Sequence, residues 1–176
     1  MRAGRIKAVL TAIAMAMASA VMADPVTSVS SVQGELGPVT NLPMPRFVSL
    51  KAHVANARRG PSRSHRIDWV FQRRDMPLRV VGEYDNWRRV VDREGMGGWM
   101  HYSLLSGSRT VIIDRDMLVL RAQPERDASE VAMLELGVIA DLGECNIDWC
   151  RLRVDGYRGW APKAALFGVD ADELRE

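Results

Sequence analysis

An all-β chain folded as two small β-barrels in tandem is the architecture this sequence predicts, and three observations predict it. A pattern of Trp, Arg and Gly is written twice. It runs from Asp85-Asn86-Trp87-Arg88-Arg89-Val90 to Gly98-Trp99, and again from Asp148-Trp149-Cys150-Arg151-Leu152 to Gly159-Trp160. The apolar runs are brief and rich in β-branched residues, as in Leu78-Arg79-Val80-Val81 and Met117-Leu118-Val119-Leu120, with Gly, Asp, Asn and Pro punctuating them. No stretch holds a helical period for three turns.

Taken in order, residues 1–23 read as a secretory signal peptide. Arg2, Arg5 and Lys7 form a positive start, Ala8 to Ala20 is an apolar run, and Val21-Met22-Ala23 supplies the small residues of a cleavage site. Cleavage after Ala23 is favoured, with Ala20 the alternative. The run is short of the roughly 20 apolar residues that span a bilayer, and no Cys follows it for lipid attachment. The mature chain is therefore expected in the periplasm or secreted, with no stable membrane insertion. The full chain carries 24 basic and 22 acidic residues; without the signal's three basic residues the net charge is −1.

Residues 24–45 hold Ser28, Ser30, Ser31, Gly34, Gly37, Pro38, Pro43 and Pro45 and keep no period. A segment of this kind buries too little apolar surface to offset its ordering entropy, which predicts an extended or mobile linker. From residue 46 the chain repeats at an offset near 62. Phe47-Val48-Ser49-Leu50 recurs as Thr110-Val111-Ile112-Ile113, Ala57-Arg58 as Leu120-Arg121, Trp87 as Trp149, and Trp99 as Trp160. Self-similarity at a fixed period signals two units of one fold, here 46–108 and 109–176. Closing short strands into barrels removes exposed edges. Only Ser106 to Arg109 joins the units, so the barrels are expected side by side, with the acidic tail 170–176 fraying.

Alternation along the strands sorts the side chains. Val90, Leu152, Cys150 and Val154 form the apolar faces, leaving Trp87 and Trp149 opposite them, beside Arg89 and Arg151. Trp99 and Trp160 likewise point away from Met100 and Ala161. Two matching Trp per unit serve either inter-repeat packing or a ligand shelf.

The first unit carries Asn56-Ala57-Arg58-Arg59-Gly60-Pro61-Ser62, the Asp85 to Val90 run, and Gly98-Trp99-Met100-His101-Tyr102-Ser103-Leu104-Leu105. With these it resembles a bacterial Src-homology-3-like (SH3-like, SH3b) domain. The second unit, with Leu120-Arg121-Ala122-Gln123-Pro124 and Gly159-Trp160-Ala161-Pro162-Lys163-Ala164-Ala165-Leu166, is similar but more divergent. The resemblance implies a pair of SH3-like β-barrels in a cell-envelope protein, usually a non-catalytic module for attachment to the wall or to other proteins. Eukaryotic members bind polyproline along a row of aromatic walls. Leu104 and Ala165 break that row, and His101 replaces its Pro in the first copy.

Cys145 and Cys150 are the only cysteines, four residues apart across a predicted hairpin loop in an exported chain. A facing antiparallel pair lies within disulfide reach, so a disulfide is expected. The aligned residues of the first unit, Glu83 and Arg88, form an opposite-charge pair worth about 0–1 kcal/mol if exposed.

His53, His65 and His101 lack metal-ligand spacing with one another, with Cys or with paired carboxylates. Ser103 and Ser106 lie near His101, but a nucleophile also needs an orienting acid. No cofactor, metal or catalysis is expected. Residues 46–110 hold 13 basic and 6 acidic residues, net +7, and residues 111–176 hold 8 and 14, net −6. The opposite charges suit docking of the repeats on each other, or an anionic partner for the first. Arg58, Tyr84, Trp87, Arg88, Trp99, His101 and Tyr102 are the candidate ligand-binding residues, with aromatic faces for sugars and Arg forks for carboxylates. Export argues against nucleic acid. The function expected is that of a monomeric envelope-binding module, attached to peptidoglycan or a wall-associated protein through the first repeat. The alternative is an accessory or structural subunit that binds one periplasmic protein through the acidic second repeat.

Overall fold

The computed structural model describes residues 35–176. The predicted signal peptide and the first part of the predicted linker lie outside the described residues. Among the described residues the regular structure is β-strand and two short 3-10 turns, and no helix is long and apolar enough to cross a membrane.

Each repeat folds as one antiparallel seven-stranded sheet wrapped around its own core. The first contains β3 (Arg46–Leu50), β4 (Ala55–Arg58), β5 (Ile67–Phe71), β6 (Pro77–Tyr84), β7 (Trp87–Val91), β8 (Gly97–His101), a 3-10 turn (Tyr102–Leu104) and β9 (Leu105–Ser106). The second repeats this with β10 (Thr110–Ile113), β11 (Leu118–Arg121), β12 (Glu130–Leu134), β13 (Ile139–Cys145), β14 (Trp149–Val154), β15 (Tyr157–Pro162), a 3-10 turn (Lys163–Ala165) and β16 (Leu166–Phe167). The strand orders, β5-β4-β8-β7-β6-β3-β9 and β12-β11-β15-β14-β13-β10-β16, are identical. Leu50, Leu78, Val80, Val90 and Met100 fill the first core, and Ile113, Leu120, Leu142, Leu152 and Ala161 the second. The faces are those that alternation assigned. A two-residue turn at Asp155-Gly156, both with positive φ, closes β14 onto β15.

The predicted linker needs correction over its described part. Residues 35–44 form a hairpin of β1 (Glu35–Leu36) and β2 (Pro43–Met44) rather than a mobile tether. Its anchor is not apolar burial but one carboxylate. Glu83 on β6 accepts hydrogen bonds from the Val39 and Thr40 amides (3.1 and 2.9 Å), the Thr40 hydroxyl (2.7 Å) and the Arg46 guanidinium (2.6 Å). Arg88 Nε lies 3.4 Å away, and the Glu83 side chain is fully buried. Gly37 has no room for a Cβ beside that carboxylate. Glu83 and Arg88 are register partners, but they are buried, so the small value of an exposed pair does not apply.

At the same place in the second barrel, Cys145 and Cys150 are register partners joined by a disulfide, with Cα atoms 4.1 Å apart. There residues 171–175 supply the cap. The Cys145 and Arg175 backbones exchange two hydrogen bonds (2.8 and 3.0 Å). Arg109 grips Glu173 with both terminal nitrogens, and buried Lys163 donates to the Ala171 and Glu173 carbonyls. The tail expected to fray is thus docked through residue 175.

The barrels lie side by side, as the short connection requires. Phe47 and Phe167 meet edge to face at 5.3 Å, with the Arg79 and Arg109 guanidinium groups over the Phe47 ring. Ser49 Oγ lies 2.6 Å from Thr110 Oγ1, which donates to the Asp75 carbonyl. Among the described residues only Arg79–Asp170 and Arg93–Asp114 pair charges across the junction, both partly exposed. Docking by the opposite net charges is therefore minor beside the aromatic and hydroxyl contacts. Among the described residues no ring, cation–π or ion-pair contact across the junction involves Trp87, Trp99, Trp149 or Trp160.

Burial raises the pKa of the Glu83 carboxyl, but the hydrogen bonds from Thr40, Arg46 and Val39 outweigh it and hold it at about 2, against 4.5 unperturbed. A depressed carboxyl stabilises the fold fully above its unfolded pKa and loses that contribution as pH falls toward the folded one. Glu83→Gln should cost about 3 kcal/mol at pH 7 and flatten the fall in stability between about pH 5 and 2. Urea titrations across that range test this, and an unchanged pH slope would refute it. Cys145→Ser with Cys150→Ser should lower stability by about 2 kcal/mol, the entropy of closing so short a loop, as measured by thermal denaturation.

Candidate functional site

The solvent face of the first barrel presents two parallel rows of side chains across its strands. The first row follows from register. Tyr84 on β6 opposes Trp87 on β7, and Trp87 opposes His101 on β8. Directly opposed residues share a face, so three aromatic rings stand side by side. Trp87 and His101 meet edge to face at 5.7 Å, and Tyr102 lies 4.9 Å from the His101 ring. Tyr84 is 61% exposed and Tyr102 51%. This row is an open ledge of aromatic side chains whose most exposed members, Tyr84 and Tyr102, offer ring surface to a sugar ring or a planar group.

The second row runs through all five neighbouring strands: Ile67, Arg58, Trp99, Arg89 and Gly82, each the register partner of the next. Trp99 stands between two arginines. Gly82 leaves the row open at its end: a Cβ there would lie 3.8 Å from Trp99 Cη2 and 3.4 Å from Arg89 Cβ. Arg58 is steadied by donating to the His65 carbonyl (2.7 Å). Among the described residues neither Arg58 nor Arg89 has a carboxylate within ion-pair distance.

Six of the seven candidate residues therefore share this face: Arg58, Tyr84, Trp87, Trp99, His101 and Tyr102. Arg88 does not. It points inward, 8% exposed, beside Glu83, and donates to the Asp85 and Trp87 carbonyls (2.8 and 2.9 Å). Its guanidinium carbon lies 6.0 Å from the Tyr102 ring centroid, so it supports the ledge from below. The exposed arginine is Arg89, which sequence reasoning placed beside Trp87 but left out of the site. The alternation that separated Val90 from Trp87 already distinguished the two arginines.

His101 and Ser103 lie within hydrogen-bonding distance (Nδ1 to Oγ 2.7 Å), but the same Nδ1 accepts the Ser103 amide and caps the 3-10 turn. No carboxylate among its hydrogen-bond partners orients the ring, so the geometry is that of a cap rather than a base. Among the described residues no three His, Cys, Asp or Glu side chains are placed to hold a metal.

The second barrel keeps one row and loses the other. Glu130, Arg121, Trp160 and Arg151 are successive register partners, but Arg121 pairs with Glu130 and Arg151 with Glu144 (3.4 and 3.3 Å). Its aromatic ledge is gone. Trp149 opposes Pro162, and the residue after it, Lys163, is buried under the tail. A depression of about 510 Å³ lies beside them, lined by Arg115, Met117, Arg121, Arg126, Trp149 and Pro162. Sequence reasoning missed it because it forms only when the β10–β11 connection meets β14 and β15.

Comparison with known proteins fits this duplication. The bacterial SH3 domain family matches twice, at residues 51–107 and 114–168. The chain belongs to that family. Each matched segment covers six of the seven strands of one sheet, starting just after β3 in the first and β10 in the second, so each barrel is one bacterial SH3 domain. No curated protein matches the chain by sequence. Among solved structures it is similar to NlpC2 and NlpC1 from Trichomonas vaginalis, each at 14% identity, with TM-scores of 0.33 and 0.34. The matches cover 70% and 74% of this chain, which spans about half the length of those chains.

The two neighbouring arginines separate experimentally. Arg88→Ala removes one cation from a buried carboxylate and should cost about 3 kcal/mol, whereas Arg89→Ala on the exposed face should stay within about 0.5 kcal/mol of the parent. Chemical denaturation of both variants checks the assignment.

Proposed function

We propose that this chain is an exported, non-catalytic binding module of the cell envelope, whose first SH3 domain attaches to peptidoglycan. One observation carries the reading. The first domain alone combines an exposed aromatic ledge (Tyr84, Trp87, His101, Tyr102) with an Arg58–Trp99–Arg89 row whose arginines have no ion-pair partner among the described residues. Aromatic faces stack on sugar rings, and guanidinium forks take carboxylates. A polymer of sugars and acidic peptides offers both. The disulfide supports export, because such bonds persist outside the reducing cytoplasm, and the composition of residues 1–23 supports the same route. The chain acts as a monomer that holds no cofactor and takes no nucleic acid.

A second reading has one observation in its favour. The depression beside Trp149 and Pro162, with exposed Met117 on its wall, suits a side chain of one specific periplasmic protein, which would make the chain an accessory subunit.

Co-sedimentation of residues 24–176 with purified sacculi tests the first reading. The chain should pellet at low salt, less at moderate salt, and about tenfold less after Trp87→Ala or Arg89→Ala. Absence of pelleting at both salt concentrations would refute wall attachment. Retained pelleting in Trp87→Ala would move the site off this face.

A further inference from the structure

The same five-strand row occurs in both SH3 domains and differs at its two ends. In sheet order the first domain reads Ile67, Arg58, Trp99, Arg89, Gly82. The second reads Glu130, Arg121, Trp160, Arg151, with Glu144 closing the row through its ion pair with Arg151. The central Arg-Trp-Arg is unchanged. Its supports are unchanged too: Arg58 donates to the His65 carbonyl, and Arg121 to the Ala128 carbonyl at the same offset. Only the ends are replaced, an acid in the second domain standing where the first has an exposed Ile or a Gly.

We propose that the Arg58–Trp99–Arg89 row is a site for two carboxylates of one ligand bracketing a ring or apolar group on Trp99, and that the second domain carries the same site filled by its own Glu130 and Glu144. The inference rests on the wall-binding reading and gives it a chemistry. The second domain shows how carboxylates approach these arginines. Glu130 sits 3.4 Å from Arg121 Nη1, which still holds its carbonyl tether, and Glu144 sits 3.3 Å from Arg151 Nη1. In the first domain the arginines stand on the equivalent strands β4 and β7, two strand spacings or about 10 Å apart, and among the described residues no acid lies within ion-pair distance of them. Arg58 spends one of its five donors on His65, leaving a fork free on its open side. The occupant is a carboxylate-bearing glycan–peptide polymer, matched by the net +7 of residues 46–110 and by the aromatic ledge one row away. Gly82 is the entrance. A side chain there meets Arg89 Cβ only at ordinary contact distance, so an acid can be introduced without displacing the backbone.

The test titrates the mature chain with soluble muropeptides released from sacculi, with their carboxylates either free or amidated, following tryptophan fluorescence and calorimetric stoichiometry. The parent chain should bind the free form with one site and the amidated form about tenfold more weakly. Arg58→Gln and Arg89→Gln should each lose about tenfold for the free form and nothing for the amidated form. Ile67→Glu with Gly82→Glu, which gives the first domain the acids of the second, should abolish binding while circular dichroism shows an intact fold. Glu130→Ile with Glu144→Gly should uncover the second site and raise the stoichiometry to two. Equal affinity for free and amidated muropeptides overturns the carboxylate site and leaves wall attachment standing, as does wild-type binding by the Ile67→Glu/Gly82→Glu variant. A stoichiometry that stays at one overturns the filled site of the second domain. Failure of the parent chain to bind either sacculi or muropeptides overturns both readings.

Discussion

The buried carboxylate of Glu83 is the constraint on which the first domain depends. An ionised group taken out of water must be surrounded by donors, or the cost of its desolvation exceeds what folding supplies. Glu83 draws those donors from three separate pieces of chain: the Val39-Thr40 turn, Arg46 on β3 and Arg88 on β7. The turn leaves Leu36, Val39 and Leu42 about half exposed and buries too little apolar surface to fix itself there. The hairpin ahead of the domain, the first core strand and the centre of the sheet are thereby tied at one point. Arg88 in turn underlies Tyr102, so the same point reaches the exposed ledge.

In the second domain a covalent bond does this work between the same two strands. A disulfide needs no surrounding donors, which leaves the edge of Cys145 free to pair its backbone with Arg175. Each domain is thus closed at a corresponding corner by a segment outside its own sheet, by a polar hub in one case and by a cross-link with a strand-like tail in the other. The tail's docking in turn requires Lys163 in place of Tyr102 and Glu173 opposite Arg109. The cap and the loss of the aromatic ledge are two consequences of one local change.

The two copies use the same row of residues differently. Both domains keep the core and the Arg-Trp-Arg row, but the second spends its arginines on its own acids, while the first leaves them facing solvent. The junction is fixed by ring contacts and hydroxyls rather than by the large difference in net charge. The positive field of the first domain is therefore not consumed internally, and remains available to an anionic partner.

The sequence by itself determined the fold class, the duplication, the inward and outward faces and the cysteine pair. All of these follow from short-range regularities: strand alternation, turn residues, and a motif repeated at fixed spacing. It also carried the distinction between Arg88 and Arg89, because period two separates adjacent side chains whatever the tertiary context. What it could not reveal were contacts between residues distant in the chain. Thr40 and Glu83 are 43 residues apart, and Arg109 and Glu173 are 64 apart, so no local pattern shows that a Ser- and Pro-rich stretch and an acidic tail each have a partner. The composition of those segments excludes apolar burial and leaves polar anchoring invisible. Register across five strands was likewise beyond the sequence, since β-bulges at Val80/Gly82 and Leu142/Cys145 shift the count. Only the assembled sheet aligns Gly82 with Arg89 and brings Glu144 to Arg151, and that alignment separates an arginine row without ion pairs from one that has them.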